Sequence, residues 1–199
     1  MARTPKLGRP AVLSRDKIVE AAVDLGLDTL TMRALAERLE VSKSSLYGWV
    51  SSRDDVLGLV GEAVIDRILA VGDPVDGDWR GWLVELAIAV RREFLAVPGF
   101  AVRAANPLHV HGDASEAAYQ RFRGRVVGVF TEAGIEPGLA VQCWYVFSTA
   151  LLGWLANEQG GPPTDPPPRF EIFLDVLIGG LPPVGDRLGE ARTSRRNDK

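Results

Sequence analysis

Four times in the first sixty residues, a hydroxyl residue stands directly before apolar residues at helical spacing. These hydroxyl residues are Ser14, Thr31, Ser42 and Ser52. A serine or threonine at a helix N-cap accepts a hydrogen bond from a backbone N–H group that the first turn leaves without a partner. The apolar residues that follow share one helix face, so the pattern predicts four short helices that pack around a common core.

Proline and glycine divide the remaining chain into longer segments. Proline lacks a backbone N–H and clashes with the preceding helical turn, so its clusters predict loops. We expect these loops at 72–78, 98–99, 106–107, 136–138 and 160–168. The apolar residues between them keep a helical period, which predicts helices near 79–96, 114–134, 138–158 and 169–180. No segment alternates as a strand does, and the predicted fold class is therefore all-α.

The composition argues against several classes of protein. With 199 residues, 46% of them hydrophobic, the chain can bury one sizeable core or two small ones. No uninterrupted apolar run approaches the ~20 residues that cross a bilayer, so we expect no membrane partner. The single cysteine, Cys143, excludes an internal disulfide and favours a cytoplasmic setting. We find no nucleophile–base pair, glycine-rich phosphate loop or zinc-ligand spacing, and we expect no enzyme activity, no cofactor and no metal.

Residues 30–53 read LTMRALAERLEVSKSSLYGWVSSR and contain the second and third predicted helices. A tight connection, Leu39-Glu40-Val41, joins them, and their apolar residues face the first helix. The third helix then exposes a small, hydroxylated and basic surface, which consists of Lys43, Ser44, Ser45, Tyr47, Gly48 and Trp49. Such a surface fits the major groove of DNA, which is about 12 Å wide. Two short helices in this arrangement are typical of a helix-turn-helix, whose second helix meets the base edges.

Residues 14–60 closely resemble the DNA-binding domain of the tetracycline-repressor (TetR) family, because caps, core spacing and polar face agree with its pattern. The resemblance implies a set of DNA-binding residues, namely Arg33, Ser42, Lys43, Ser44, Ser45, Tyr47, Gly48, Trp49 and Arg53. Residues 43–45 would meet base edges or nearby phosphates, Arg33 a phosphate or a base, and Tyr47 and Arg53 phosphates. Trp49 would pack on the sugar-phosphate wall or on thymine methyl groups. Alternatively, the arginines are merely solvated, Tyr47 is half-buried core and Trp49 shields the hydrophobic interior.

One residue departs from the family pattern. Many members of the family have glycine at the turn between the two helices, where this chain has Glu40. If that position needs a positive φ, the glutamate adds modest strain without changing the fold.

Charge is distributed unevenly along the chain, whose net charge is −3. Residues 1–53 carry nine lysines and arginines against six acidic residues, whereas the remainder carries fourteen against twenty. This distribution indicates that only the N-terminal part meets an anionic partner. Arg3, Lys6 and Arg9 near the N-terminus either lie in the minor groove of DNA or only solubilise the chain.

The resemblance also implies a domain organisation. A flexible basic arm (1–13) precedes the N-terminal three-helix helix-turn-helix DNA-binding domain (14–60). A C-terminal helical ligand-binding and dimerisation domain (61–185) and a disordered tail (186–199) follow. The helices predicted near 138–158 and 169–180 carry broader apolar faces than one core needs, which predicts pairing with a second copy of the chain.

The family holds a small-molecule pocket between its dimer interface and its DNA-binding domain, which implies ligand-binding candidates here. Nearly all of them are aromatic, and they are Trp82, Leu86, Phe94, Phe100, His109, Phe122, Phe130, Trp144, Phe147 and Trp154. An aromatic lining would suit a flat or polycyclic apolar ligand. The alternative is that each of these residues is ordinary core.

His109, His111 and Asp113 alternate and would share one side of an extended loop, which makes a metal site conceivable. By the resemblance, His109 also falls where tetracycline-binding members of the family place a metal-binding histidine. However, Gly112 and Asn157 stand where those members have a threonine and a glutamate ligand. We therefore expect no metal, and His109 is either a hydrogen-bonding partner of a ligand or a loop residue with no special task.

Together these observations predict a ligand-responsive transcriptional repressor. It would bind a palindromic operator in double-stranded DNA as a homodimer, and a small-molecule effector would release it. The alternatives are a DNA-binding architectural protein or an activator without a ligand, an enzyme with an accessory helix-turn-helix, and a protein-interaction module. A cavity on the order of a few hundred Å³ in the C-terminal part would count against the architectural protein. Salt-dependent DNA binding would count against the interaction module.

Overall fold

The computed structural model describes residues 13–105, 113–162 and 164–181 of the chain. Over these ranges every regular element is a helix, so the prediction of an all-α fold is confirmed. The helices are α1 (Arg15–Leu25), α2 (Met32–Arg38), α3 (Lys43–Tyr47), α4 (Arg53–Leu69), α5 (Trp79–Leu95), α6 (Phe100–Ala104), α7 (Asp113–Glu132), α8 (Pro137–Gly160) and α9 (Phe170–Gly180). Residues 1–12 of the predicted arm, the predicted tail, His109 and His111 lie outside the described residues.

All four predicted N-caps form. The hydroxyl oxygens of Ser14, Thr31 and Ser42 each accept a hydrogen bond from the backbone N–H three residues further on. Ser52 does the same at the start of α4, and the carboxylate of Asp55 accepts a hydrogen bond from the Ser52 N–H in return. Such a capping box satisfies two backbone donors at once. Local sequence thus sets where α1 to α4 begin.

Helices α1 to α4 enclose one apolar core. α1 packs on α2 and α4, and α2 packs on α3. The core contains the buried residues Ile18, Leu27, Leu30, Leu35, Leu46 and Val56. Leu46 is the fully buried residue of α3 and anchors that short helix from its inner side. The opposite side of α3 therefore faces solvent.

α4 connects this N-terminal core to the rest of the molecule, since it packs on α1, α5 and α7. The domain boundary predicted at residue 60 falls inside this helix. Its buried stripe consists of Val56, Val60, Val64 and Ile68. Leu57, next to the first residue of this stripe, is only partly buried and lines an adjoining cavity.

α6 is a short helix that the sequence pattern did not predict. With five residues it is too short to show an apolar period, and the Pro98-Gly99 pair before it indicated only a loop. Gln159 of α8 forms hydrogen bonds to the first turn of α6 and to the residue just before Pro98. The Gln159 side-chain oxygen accepts a hydrogen bond from the Ala101 N–H (3.0 Å), and its amide donates one to the carbonyl oxygen of Val97 (3.0 Å).

α8 packs against α5, α6, α7 and α9. Its buried residues are Ala140, Cys143, Trp144, Phe147, Leu151 and Leu155. By length and composition alone, Pro137–Gly160 is long and apolar enough to cross a membrane, although polar residues interrupt its apolar runs. The core helix of a globular protein passes the same test. α8 packs against four other helices, and 33% of its apolar window is buried in the single chain.

Candidate DNA-binding surface and ligand cavity

The solvent-facing side of α3 and the residues just after it form what we call the α3 surface: Lys43, Ser44, Ser45, Tyr47, Gly48 and Trp49. All six residues are exposed. The aromatic side chains of Tyr47 and Trp49 are each 50% exposed, although large aromatic residues gain most from burial. Half of each ring is therefore accessible to a partner, while the alternatives in which Tyr47 is half-buried core and Trp49 shields the interior stay open.

The serine hydroxyls at the start of α3 bond to each other. The Ser42 Oγ lies 3.0 Å from the Ser44 Oγ and 2.8 Å from the Ser45 Oγ, and it also caps α3. Ser42 therefore has a structural task in addition to any contact with DNA. The three hydroxyls remain exposed, so Ser44 and Ser45 hold a preformed polar cluster toward solvent.

Gly48 follows α3 with an ordinary helical φ of −72°. A Cβ atom at this position would lie 3.4 Å from the nearest other atom, the carbonyl oxygen of Ser45, which is an ordinary contact. Neither the backbone conformation nor the packing of the described residues therefore requires glycine here. The missing side chain instead leaves room for a partner to approach the backbone closely.

The predicted cations differ in how far they are already engaged. Lys43 has no ion-pair partner among the described residues, so its charge is available to a partner molecule. Arg33 donates a hydrogen bond from its Nε to Glu37 one turn later (2.8 Å), and this bond raises the pKa of Arg33 above its ordinary value. Arg33 is thus partly neutralised on its own helix.

Arg53 lies in a different environment from the one that the resemblance implied. Its Nε donates to the carbonyl oxygen of Leu30 (2.9 Å), and its Nη2 donates to that of Leu27 (2.6 Å). The guanidinium is partly buried and ties the start of α4 to the connection between α1 and α2. These bonds give Arg53 a positioning role in the N-terminal core, and the phosphate contact stays a prediction for its remaining donors.

The turn between α2 and α3 has the backbone conformation that the comparison with the family pattern anticipated. Glu40 has a φ of 54°, which is in the left-handed region. The Val41 N–H, next along the chain, donates to the carbonyl oxygen of Ala36 (3.0 Å) and closes the end of α2. The conditional prediction of strain at Glu40 therefore applies, because a residue with a Cβ atom is disfavoured at this φ.

A cavity of about 860 Å³ lies between the N-terminal core and the C-terminal helices. We call it the α4–α8 cavity. Residues of α4 to α8 line it, together with Leu27 from the connection after α1. Five ligand-binding candidates lie in this lining, namely Phe94, Phe100, Phe122, Trp144 and Phe147. Four of their rings form two edge-on pairs, with ring centres 4.8 Å apart for Phe94 and Phe100 and 5.2 Å apart for Phe122 and Trp144.

Four other candidates do not line this cavity, and their ligand-binding role stays a prediction. Leu86 and Phe130 are fully buried core residues. Trp82 is buried too, and its indole N–H donates to the carbonyl oxygen of Gly72 (2.9 Å). Trp154 stacks on Phe173 of α9 with ring centres 4.6 Å apart. The helical period alone could not distinguish these core positions from the cavity wall.

Several lining residues were not among the candidates. They include Leu57, Ile65, Arg103, Tyr119, Ser148 and Thr149. The selection of aromatic residues could not find the aliphatic and polar ones. Tyr119 carried a usable signal, since it lies on α7 one turn before Phe122 and its ring centre is 6.2 Å from that of Trp144.

The described residues offer neither a metal site nor a reactive thiol. Residues 13–105, 113–162 and 164–181 contain no group of three His, Cys, Asp or Glu residues that could hold a metal ion. His109 and His111 lie outside these ranges, so their predicted roles stay predictions. Burial raises the pKa of the Cys143 thiol, which keeps it protonated and unreactive.

Comparisons with known proteins point to transcription regulators. An uncharacterised HTH-type transcriptional regulator of Mycobacterium tuberculosis is 31% identical over 179 residues, which cover 86% of this chain and 82% of the relative. The tetracycline repressor protein class A from transposon 1721, of Escherichia coli, is 30% identical over 154 residues, which cover 75% and 68%. An HTH-type transcriptional regulator of Saccharopolyspora erythraea is 40% identical over 93 residues, which span 44% of this chain and only 38% of the relative. A scan against protein-family models finds no match.

Solved structures share the architecture. A possible TetR family transcriptional regulator from Streptomyces coelicolor A3(2) has a TM-score of 0.61 at 34% identity, over 73% of this chain and 71% of that chain. The TetR family protein ActR of Streptomyces coelicolor, in complex with actinorhodin, has a TM-score of 0.67 at 26% identity, over 86% and 96%.

The capped helices α2 and α3, with an anchored inner side and an exposed polar outer side, define a helix-turn-helix DNA-binding protein. The longer helices that follow it enclose the α4–α8 cavity. Because relatives at 30% identity or more match most of its length, the chain belongs to the TetR family of transcription regulators.

Proposed function

We propose that this chain is a ligand-responsive transcriptional repressor, which binds a palindromic operator as a homodimer and is released by a small-molecule effector. The observation that carries the proposal is the position of the α4–α8 cavity. Leu27 and Arg53 belong to the core that holds α3, and both also line the cavity. A ligand in the cavity therefore touches the same residues that position the DNA-binding helix, which is the physical requirement for coupling two sites.

The α3 surface supports the DNA-binding part of the proposal. It combines the available cation of Lys43, the exposed hydroxyls of Ser44 and Ser45, and Gly48, which has no side chain. Buried Leu46 anchors the opposite side of α3 in the core. Small and basic side chains can enter the major groove, where Lys43, Ser44 and Ser45 would read base edges. Tyr47 and Trp49 would contact the backbone on either side, which sets the register of the helix on DNA.

The outer faces of α8 and α9 support the homodimer. α8 and α9 pack against each other, and Val146, Ile172 and Val176 remain exposed on them. Exposed apolar residues on neighbouring elements are typical of a protein–protein interface. We propose that a second copy of this chain covers them, because two α3 helices about one DNA turn (~34 Å) apart are needed to read a palindrome.

The alternative functions have less support. A purely architectural DNA-binding protein does not need a cavity of about 860 Å³ with an aromatic wall. The relatives are transcription regulators, and we propose that this chain likewise has no enzymatic activity and acts in the cytoplasm, where its DNA target is found. The tetracycline repressor among the relatives and the ActR–actinorhodin complex support an effector that is polycyclic.

The test of this function is a binding assay with duplex DNA selected from a random pool. We expect the selected sites to be palindromic and the affinity to fall steeply with added salt, because phosphate contacts release counterions. Lys43→Ala should reduce the slope of this salt dependence by about one or relax base preference. Equal affinity for selected and random duplexes would sink the repressor proposal.

Gly48→Ala separates DNA contact from folding. The new methyl group meets only an ordinary contact inside the protein and restricts the unfolded chain, so we expect the unfolding free energy to stay equal or to rise by up to about 1 kcal/mol. Operator affinity should fall about tenfold, because the methyl group would overpack a close interface. Unchanged affinity would mean that DNA does not approach α3 at this point. Arg53→Ala is a poorer probe, since it also removes the partner of two backbone carbonyl groups.

A further inference from the structure

Arg103 in the cavity wall has a buried hydrogen-bond donor that lacks a partner among the described residues. It lies on α6 and lines the α4–α8 cavity, where aromatic and aliphatic side chains form most of the wall. Its Nη2 donates to the carboxylate of Asp28. Its Nε, however, is buried and has no hydrogen-bond partner among the described residues. A guanidinium has five N–H donors in a planar fork, so Arg103 has unused donors beside an apolar cavity.

The one partner that Arg103 has belongs to the DNA-binding part of the molecule. Asp28 lies in the connection between α1 and α2, next to Leu27, whose carbonyl oxygen accepts a hydrogen bond from Arg53. Asp28 is mostly exposed, so its attraction for Arg103 competes with water. The Asp28 carboxylate also lies close to the start of α6, since a Cβ atom on Gly99 would be 3.2 Å from one of its oxygens. The Arg103–Asp28 pair thus connects α6 to the α1–α2 connection. Because Asp28 is exposed, another anion could replace it as the partner of Arg103.

The charges around the cavity favour an anion. Arg53, Arg103 and Asp54 are its charged lining residues, so two cations face one carboxylate. Arg53 already donates to two carbonyl oxygens, which leaves Arg103 as the cation with most donors to offer. An anionic group of a ligand that forms a forked pair with Arg103 would exchange a solvent-exposed partner for one in a less polar environment, where the attraction is stronger.

We propose that the effector is a flat, largely apolar molecule with an anionic group, and that Arg103 binds this group in place of Asp28. This inference rests on the proposed function, because it names the effector class of the same cavity. Binding would break the contact between α6 and the α1–α2 connection, and so would loosen the N-terminal core from the C-terminal helices. A neutral molecule of the same shape would fill the cavity without breaking that contact.

The test uses two fluorescent probes with the same ring system. 8-Anilinonaphthalene-1-sulfonate carries an anionic group, and N-phenyl-1-naphthylamine lacks it. We expect Arg103→Gln to weaken binding of the sulfonate about tenfold and binding of the neutral probe less than about twofold. Asp28→Asn should strengthen sulfonate binding, because it removes the competing carboxylate, and it should have no effect when Arg103→Gln is also present.

Arg121→Gln is the matched control. Arg121 pairs with Asp66 on the surface and does not line the cavity, so its removal should leave both probes unaffected. Arg103→Lys keeps the charge and should retain part of the sulfonate affinity. Retained binding of the neutral probe by Arg103→Gln shows that this variant is folded. Equal losses for both probes, or no saturable binding of the sulfonate to the unaltered protein, would overturn the inference.

The outcome can be distinguished from a failure of the proposed function. Probe binding is measured without DNA, so Arg103-dependent binding would stand even if no operator were selected. Conversely, operator binding together with probe affinities that ignore Arg103 would leave the repressor intact and remove only the anionic effector. If both hold, the sulfonate should release the protein from its selected operator, and Arg103→Gln should require about tenfold more probe.

Discussion

At the scale of single residues, the turn between α2 and α3 contains backbone strain at Glu40, which the sequence pattern indicated. Glu40 adopts a φ of 54°, where a Cβ atom clashes with its own backbone. The side chain is exposed, and no hydrogen bond or ion pair of Glu40's side chain appears among the described residues to offset this strain. The glutamate is thus tolerated in the turn, and nothing in the described structure explains its presence.

Glu40→Gly should therefore stabilise the protein. Removing the Cβ atom relieves the strain, while the greater freedom of glycine in the unfolded chain offsets part of the gain, so we expect about 0.5–1 kcal/mol. Urea denaturation measures the difference. Glu40→Ala is the control, because it removes the charge and keeps the Cβ atom. An equal gain in both variants would show that charge, rather than backbone strain, is responsible.

At the scale of elements, an ion pair between Arg91 and Glu158 joins α5 and α8. The Arg91 Nε lies 3.0 Å and 2.9 Å from the two carboxylate oxygens of Glu158, and the Trp154 indole N–H also donates to that carboxylate. Hydrogen bonding by Arg91 is the largest influence on Glu158, and it holds the pKa of the Glu158 carboxyl below its ordinary value in spite of partial burial. The same pair raises the pKa of Arg91.

This ion pair predicts a pH dependence of stability. Because the pKa of Glu158 is lower in the folded than in the unfolded protein, its stabilising effect is present above the ordinary glutamate value and is lost as the pH falls through the folded value. Glu158→Gln should lower the unfolding free energy by about 1 kcal/mol or less at pH 7, since the side chain of Arg91 is 41% exposed.

Thermal melts of the unaltered protein and of Glu158→Gln from neutral pH to about pH 3 measure this dependence. The two proteins should converge toward the acid end, where the carboxyl of Glu158 is protonated in both the folded and the unfolded chain. Glu85→Gln is the control, because Glu85 is exposed on α5 and has no recorded partner among the described residues. A difference that persists unchanged at low pH would contradict the assignment to ionised Glu158.

At the scale of the whole molecule, the proposed dimer places both functions in one assembly. The α3 surface and the exposed apolar residues of α8 and α9 belong to opposite ends of the chain, and the α4–α8 cavity lies between them. α4 reaches from the N-terminal core to α5 and α7, so a shift of the C-terminal helices would be transmitted to α3. In the proposed dimer, the spacing of the two α3 helices would then depend on ligand in the cavity.

Val176→Glu tests the dimer. Val176 on α9 is 72% exposed in the single chain, and a carboxylate there would be buried without a partner in a dimer interface. We expect the molar mass from light scattering to shift from dimer to monomer, and palindrome binding to be lost with it. Val75→Glu is the control, since Val75 is 75% exposed in the loop before α5 and should leave the mass unchanged. A dimeric Val176→Glu protein would rule out this face as the interface.

The N-terminal helices could be predicted from the sequence almost completely, because their determinants are local. Each N-cap bonds a backbone N–H three residues away, and each apolar stripe repeats within a few residues. α6 could not be predicted, because its hydrogen-bond partner, Gln159, is 58 residues from Ala101 in the chain. Short helices of this kind depend on contacts with residues that are distant in the chain.

For the candidate site, the sequence by itself determined which side of α3 faces solvent, because one buried leucine on a capped helix leaves only one orientation. Tertiary structure decided the rest. Trp82 and Trp144 are both tryptophans on predicted amphipathic helices, but only Trp144 lines the cavity. Arg53 was expected on DNA, yet it donates to carbonyl groups 23 and 26 residues earlier. Such contacts arise where separate helices meet, and a local sequence pattern carries no information on which helices those are.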